Sequence, residues 1–193
     1  QLATKKVGVL CLKPITFVSF CSNKLPMKRT PLILVMLLTS VLASGQDYKL
    51  HPVYIYSFTK YVIWPDANKS GDFEISVWGE SPIIKELNTM ASLKKTHDNR
   101  VIKIKKVESI NDIGKSHVLF IPAAKSKNLV EVLAKVGNQS ILIITEETGL
   151  AQKGSNINFV VKDGKLAFEM NQASMAKQNL KASNELTRLA III

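Results

Sequence analysis

The chain has 193 residues, with 26 Lys/Arg against 15 Asp/Glu, a formal net charge of +11, and only two cysteines, Cys11 and Cys21. The first 45 residues hold both cysteines, six of the basic side chains and no acid, so residues 46–193 carry a net +5 and cannot be a disulfide-stapled scaffold. That charge suits a soluble domain with a weak preference for anionic partners, and it excludes a nucleic-acid reader, because the lysines alternate with apolar residues and no basic helix carries base-reading side chains.

Residues 1–26 begin with Gln and read as an upstream extension. Met27 is followed by Lys28 and Arg29, then by a short apolar run over 31–43 and the small residues Ala43, Ser44 and Gly45. Basic start, apolar centre and small residues at the cleavage position describe a secretory signal peptide over 27–45. The run falls short of the ~20 apolar residues that a membrane-spanning helix needs, so no stable membrane insertion is expected. No cysteine follows the small residues, which argues against a bacterial lipid anchor. Residues 46–193 are then a single exported domain, expected in the periplasm. A domain of this size can bury ~70% of its unfolded surface and needs no staples.

The domain opens with an aromatic stretch over 48–65, YKLHPVYIYSFTKYVIWP, which carries about half of the aromatic side chains after residue 45. Leu50, Tyr54, Phe58 and Tyr61 recur at helical spacing, with Trp64 one turn on. Val53, Ile55 and Val62 make the helix apolar nearly all round, so it wants cover on more than one side. Pro52 fits the first turn, and Pro65 is expected to end the helix. Two readings stand for this helix. It is a core element, or part of its aromatic face, with Tyr56, Tyr61 and Trp64 as the contact residues, meets a second protein.

Phe73 to Trp78 alternates as a strand and stops at Gly79; Ser81 is a good N-cap and Pro82 a good first helical residue. Ile83, Ile84, Leu87 and Met90 give the face of the next helix. A strand over 101–107 sets Ile102 and Ile104 against Lys103 and Lys105, the pattern of a sheet edge. The runs 117–122 and 141–144 are continuously apolar, as central strands covered on both faces are. Between them Leu129, Val130, Leu133 and Val136 mark a helix. Asp163-Gly164 then joins two strands as a hairpin turn. Ala173, Ala176 and Leu180 suggest a short helix. Ser183 caps a last one, faced by Leu186, Leu189, Ala190 and Ile193. The expectation is an α/β domain, layered helix/sheet/helix, with a mostly parallel sheet, a C-terminal antiparallel hairpin and an aromatic-rich N-terminal helix.

Chemistry-bearing residues are sparse. His51, His97 and His117 are scattered without metal-ligand spacing, and no metal or cofactor is expected. Gly79-Glu80-Ser81-Pro82 lacks the second glycine of a nucleophile elbow, and no glycine-rich phosphate loop is present, so no catalytic set emerges. Gly79 does place a helix N-terminus at a strand's carboxyl end, either an ordinary turn or an anion site. Glu146 and Glu147 follow a central strand and read as a solvated loop. Glu169 points away from Phe168 and Met170; with Asn171 it makes either a salt bridge and helix cap or part of a ligand site.

In order, YIYSFTKYVIWP (54–65), FEISVWGESP (73–82), SHVLFIP (116–122), GSNINF (154–159), DGKLAFEMN (163–171) and LKASNELTRLA (180–190) resemble the YfiR-like family of exported bacterial proteins. The resemblance implies a periplasmic regulator and not an enzyme. Its best-known member type holds down a membrane-bound diguanylate cyclase by binding the periplasmic part, and related domains sense for histidine kinases. It also implies homodimers. Family disulfides that support redox-sensitive activity are not carried over, because no cysteine follows residue 21. The reading from sequence is a periplasmic protein that binds a membrane cyclase or sensor kinase. The alternative is a small-molecule-binding module with its ligand at the carboxyl ends of the strands, near Gly79 or near Glu169 and Asn171.

Overall fold

The computed structural model describes residues 48–66, 70–114 and 116–193. The expected signal peptide and upstream extension lie outside the described residues. The aromatic stretch forms α1 (His51–Tyr61), with Pro52 in its first turn. The helix stops before Val62 instead of running to Pro65. The β-branched pair forms β1 (Val62–Ile63), which pairs antiparallel with β8 (Lys181–Ala182). That tertiary pairing outcompetes the last helical turn.

The elements then run as β2 (Phe73–Trp78), α2 (Ile83–Leu93), β3 (Ile102–Val107), β4 (Val118–Ile121), α3 (Leu129–Val136), β5 (Leu142–Thr145), β6 (Ile157–Lys162) and β7 (Lys165–Met170). They close with α4 (Gln172–Lys177), β8, α5 (Asn184–Leu189) and β9 (Ile191–Ile192). The main sheet has the order β3-β2-β4-β5-β6-β7-β9. Pairing is parallel from β3 to β6, antiparallel between β6 and β7, and parallel again between β7 and β9.

Local chemistry explains each turn of this path. Gly79 ends β2 at φ +77, and the Ser81 hydroxyl accepts from the Ile83 N–H at 3.4 Å just ahead of α2. Asp163 and Gly164 both take positive φ, 51 and 73, as a two-residue hairpin turn whose twist matches the strands requires. Ser183 Oγ accepts from the Leu186 N–H and caps α5. The chain does not continue helically to Ile193; Ile191 and Ile192 leave α5 and extend the sheet beside β7.

β4 and β5 are buried at every position, as their unbroken apolar runs require. Side-chain alternation splits the interior in two. One face gathers Ile55, Phe58, Phe73, Ile75, Leu87, Phe120, Phe159 and Phe168 under α1 and α2. The other gathers Trp78, Leu119, Ile121, Ile143, Leu129, Val132 and Val136 under α3. The inward side of α3 is Leu129, Val132 and Val136, while Val130 is 72% exposed. In α4 the buried residues are Ser174 and Met175, with Ala173 and Ala176 facing solvent. No helix among the described residues is long and apolar enough to cross a membrane.

Candidate functional site

From β2 the chain passes to β3 on one side and returns to β4 on the other, so the loops leaving β2 and β4 diverge. Open α/β sheets hold ligands in such a crevice, at the carboxyl ends of the strands. Here Tyr48 lies across it. The ring is 7% exposed, tilted against His51 at 4.8 Å and edge-on to Phe120 at 6.4 Å. Its hydroxyl donates to Glu146 Oε1 at 2.8 Å, and the Ala123 N–H donates to the same oxygen at 2.9 Å.

Glu146 is therefore not part of a solvated loop. It keeps 9% exposure, and its Oε2 is buried without a hydrogen-bond partner among the described residues. Burial raises its pKa, and the Ala123 and Tyr48 donors offset only part of that rise. Burial, then the hydrogen bond and charge of Glu146, push the Tyr48 phenol well above its ordinary range. Glu147 does stay exposed, in contact with the Ser126 hydroxyl. Gly79 borders the crevice, and a Cβ there would stand 3.2 Å from Lys125 Cε.

Glu169 and Asn171 lie elsewhere. β7 is four strands from β2, about 19 Å at ~4.8 Å per strand, so Gly79 and the hairpin pair do not share one site. Asn158 Nδ2 donates to Glu169 Oε2 at 3.0 Å, Thr145 Oγ1 donates to Asn158 Oδ1 at 2.8 Å, and Ser155 Oγ lies 2.9 Å from Thr145 Oγ1. Thr145, Ser155 and Asn158 are fully buried, a polar chain that ties the hairpin to β5. Asn171 caps α4 by accepting from the Ser174 N–H at 2.8 Å and donates to the Ala151 carbonyl at 2.8 Å.

On α1, Tyr56 and Tyr61 are half-buried, and the Tyr56 hydroxyl donates to the Lys95 carbonyl at 3.1 Å. Lys60 Nζ sits 4.8 Å from the Tyr56 ring centre. Trp64 is withdrawn from the surface: it is 5% exposed and edge-on to Phe73 at 5.2 Å. The exposed apolar side chains are instead Leu50 (57%) and Val53 (60%) at the start of α1 and Ile63 (53%) just past its end. Helical spacing sets Leu50 with the buried Phe58, yet Leu50 precedes the helix and Ile63 lies in β1 beyond it.

His117 is engaged structurally. Its Nδ1 accepts from the Glu74 N–H at 3.1 Å, its Nε2 lies 3.3 Å from Arg100 Nη1, and its ring stacks on Phe73 at 4.6 Å. Among the described residues no three His, Cys, Asp or Glu side chains gather closely enough to hold a metal ion.

A protein-family model described as YfiR/HmsC-like matches residues 48–191. A comparison with curated proteins found no match.

Proposed function

The chain belongs to the YfiR/HmsC-like family, and from that membership we propose that it is a periplasmic regulatory protein without catalytic activity. In this reading it binds the outer portion of a membrane-bound signalling protein, a diguanylate cyclase or a sensor kinase, and controls its output.

One observation supports the reading above others. α1 buries Ile55 and Phe58 completely yet leaves Val53 more than half exposed, with Leu50 just before it and Ile63 just beyond it in the same state. Half-buried Tyr56 and Tyr61 adjoin the core on the same helix. Exposed apolar side chains at both ends of α1, with half-buried tyrosines between them, suit an interface, where tyrosine contributes large contact area at low entropic cost.

The test compares wild type with a Val53→Asp, Ile63→Asp variant in cells that express the candidate membrane partner. Wild type should change the partner's signalling output and co-purify with it. The variant should fold normally and do neither. Equal regulation by both proteins would rule out this face as the contact.

A further inference from the structure

Among the described residues, β3 is an outer strand of the main sheet and pairs there with β2 alone. The register runs unbroken from Ile102 to Val107, with neither a proline nor a bulge. The Phe73 N–H donates to the Val101 carbonyl at 2.8 Å, and the Gly79 N–H donates to the Val107 carbonyl at 2.8 Å. A parallel ladder in that register turns the main-chain groups of the odd-numbered residues towards β2 and those of Ile104 and Lys106 away from it. The bridge between Lys95 and Val101 covers only the start of the strand. Among the described residues no backbone hydrogen bond reaches the outward groups of Ile104 or Lys106.

An open edge of this kind is a template for one more strand, and charge is what guards it. That guard is selective. Lys103 pairs with Asp72, and Lys106 with Glu80 and Glu108. Lys105, with Lys94 and Lys95 in the bridged turn before β3, is exposed, and none of the three forms an ion pair among the described residues. A second copy of the chain would set lysine against lysine, which opposes pairing. Residues 1–45 hold six basic side chains and no acid, so the same repulsion keeps them off the edge. An acidic strand meets neither obstacle. Alternation fixes the faces: Lys103 and Lys105 lie on one side of β3, and half-buried Ile104 lies on the other.

We infer that β3 is the docking edge for an extended acidic segment of another protein, which adds to the main sheet as a further strand. Its main chain bonds to the outward N–H and C=O groups of Ile104 and Lys106. Its carboxylates lie over Lys103 and Lys105, and the apolar side chains that alternate with them lie beside Ile104. Leu50, Val53 and Ile63 take no part, so this edge is independent of partner binding at α1.

Titration with the end-capped peptide Glu-Val-Glu-Val-Glu at low salt, followed by amide resonances and hydrogen exchange, tests the inference. The peptide should bind saturably, at least roughly tenfold more tightly than Lys-Val-Lys-Val-Lys or Glu-Pro-Glu-Pro-Glu. The second control carries the same charge but cannot pair as a strand. In the free protein the Ile104 and Lys106 amides should exchange faster than those of Lys103 and Lys105, and binding should slow them. Lys106→Pro removes an outward N–H and keeps the ladder with β2, and Lys105→Glu reverses an exposed charge. Both variants should retain the melting temperature and bind the acidic peptide at least roughly fivefold more weakly. Absence of binding by Glu-Val-Glu-Val-Glu, equal binding of either control, shifts confined to other residues, or undiminished binding by the variants would each overturn it.

Discussion

Tyr48 and Glu146, ninety-eight residues apart in sequence, are joined by a buried 2.8 Å hydrogen bond that closes the crevice at the carboxyl ends of the central strands. The bond secures the segment that leads into α1, where Leu50 and Val53 are exposed. Replacing Tyr48 by Phe keeps the ring against His51 and Phe120 but leaves Glu146 Oε1 with the Ala123 N–H alone. The loss of one donor to a buried carboxylate predicts a destabilisation of about 1–3 kcal/mol in urea unfolding. Hydrogen exchange should rise first near residues 48–55.

The same pair sets a pH dependence. Burial raises the Glu146 pKa, so the folded state holds its proton at a pH where the unfolded chain has released it. That contribution is complete below the ordinary carboxylate range and is lost as pH rises through the folded value. Wild type should therefore lose stability relative to Glu146→Gln as pH climbs from about 4 towards neutrality. Parallel stability–pH curves for the two proteins would contradict the assignment.

Gly79 is held at φ +77 with Lys125 Cε at 3.2 Å from any added Cβ. An alanine there meets backbone strain of ~1–2 kcal/mol, while the lysine end can move aside. Gly79→Ala should lower the unfolding free energy by about that amount. Adding Lys125→Ala to that variant should recover little of the loss, because the cost lies in the backbone.

The two sides of α1 and its extension should separate in a stability scan. Phe58→Ala and Trp64→Ala remove buried rings and should each cost about 3–5 kcal/mol. Val53→Asp alters an exposed position and should stay within ~0.5 kcal/mol of wild type. A large loss at Val53 would mean that it is covered within the chain.

Much of this architecture is legible in residue order. The unbroken apolar runs of β4 and β5 require cover on both faces, Asp163-Gly164 fixes the hairpin, and Ser183 caps α5. Elements made by tertiary pairing escape local reading. β1, β8 and β9 are two residues each, and only partners distant in sequence turn them from helix continuation into strand. Trp64 follows the helical period on paper, yet β1 swings it onto Phe73. Glu146 resembles any charged loop residue until Tyr48 and Ala123 arrive from elsewhere in the chain to bind it. The polar chain of Ser155, Thr145, Asn158 and Glu169 is hidden for the same reason. Its members lie on three strands and the loop before β6, and only the register brings their side chains together.

Whether the exposed side chains at the ends of α1 dock on a membrane signalling protein is decided by photocrosslinking in living cells, from a benzoyl-phenylalanine placed at position 53. Docking through them predicts an adduct with an inner-membrane protein carrying a cyclase or kinase domain, weakened when Ile63→Asp is added. Efficient incorporation and normal folding with no membrane-protein adduct would contradict it.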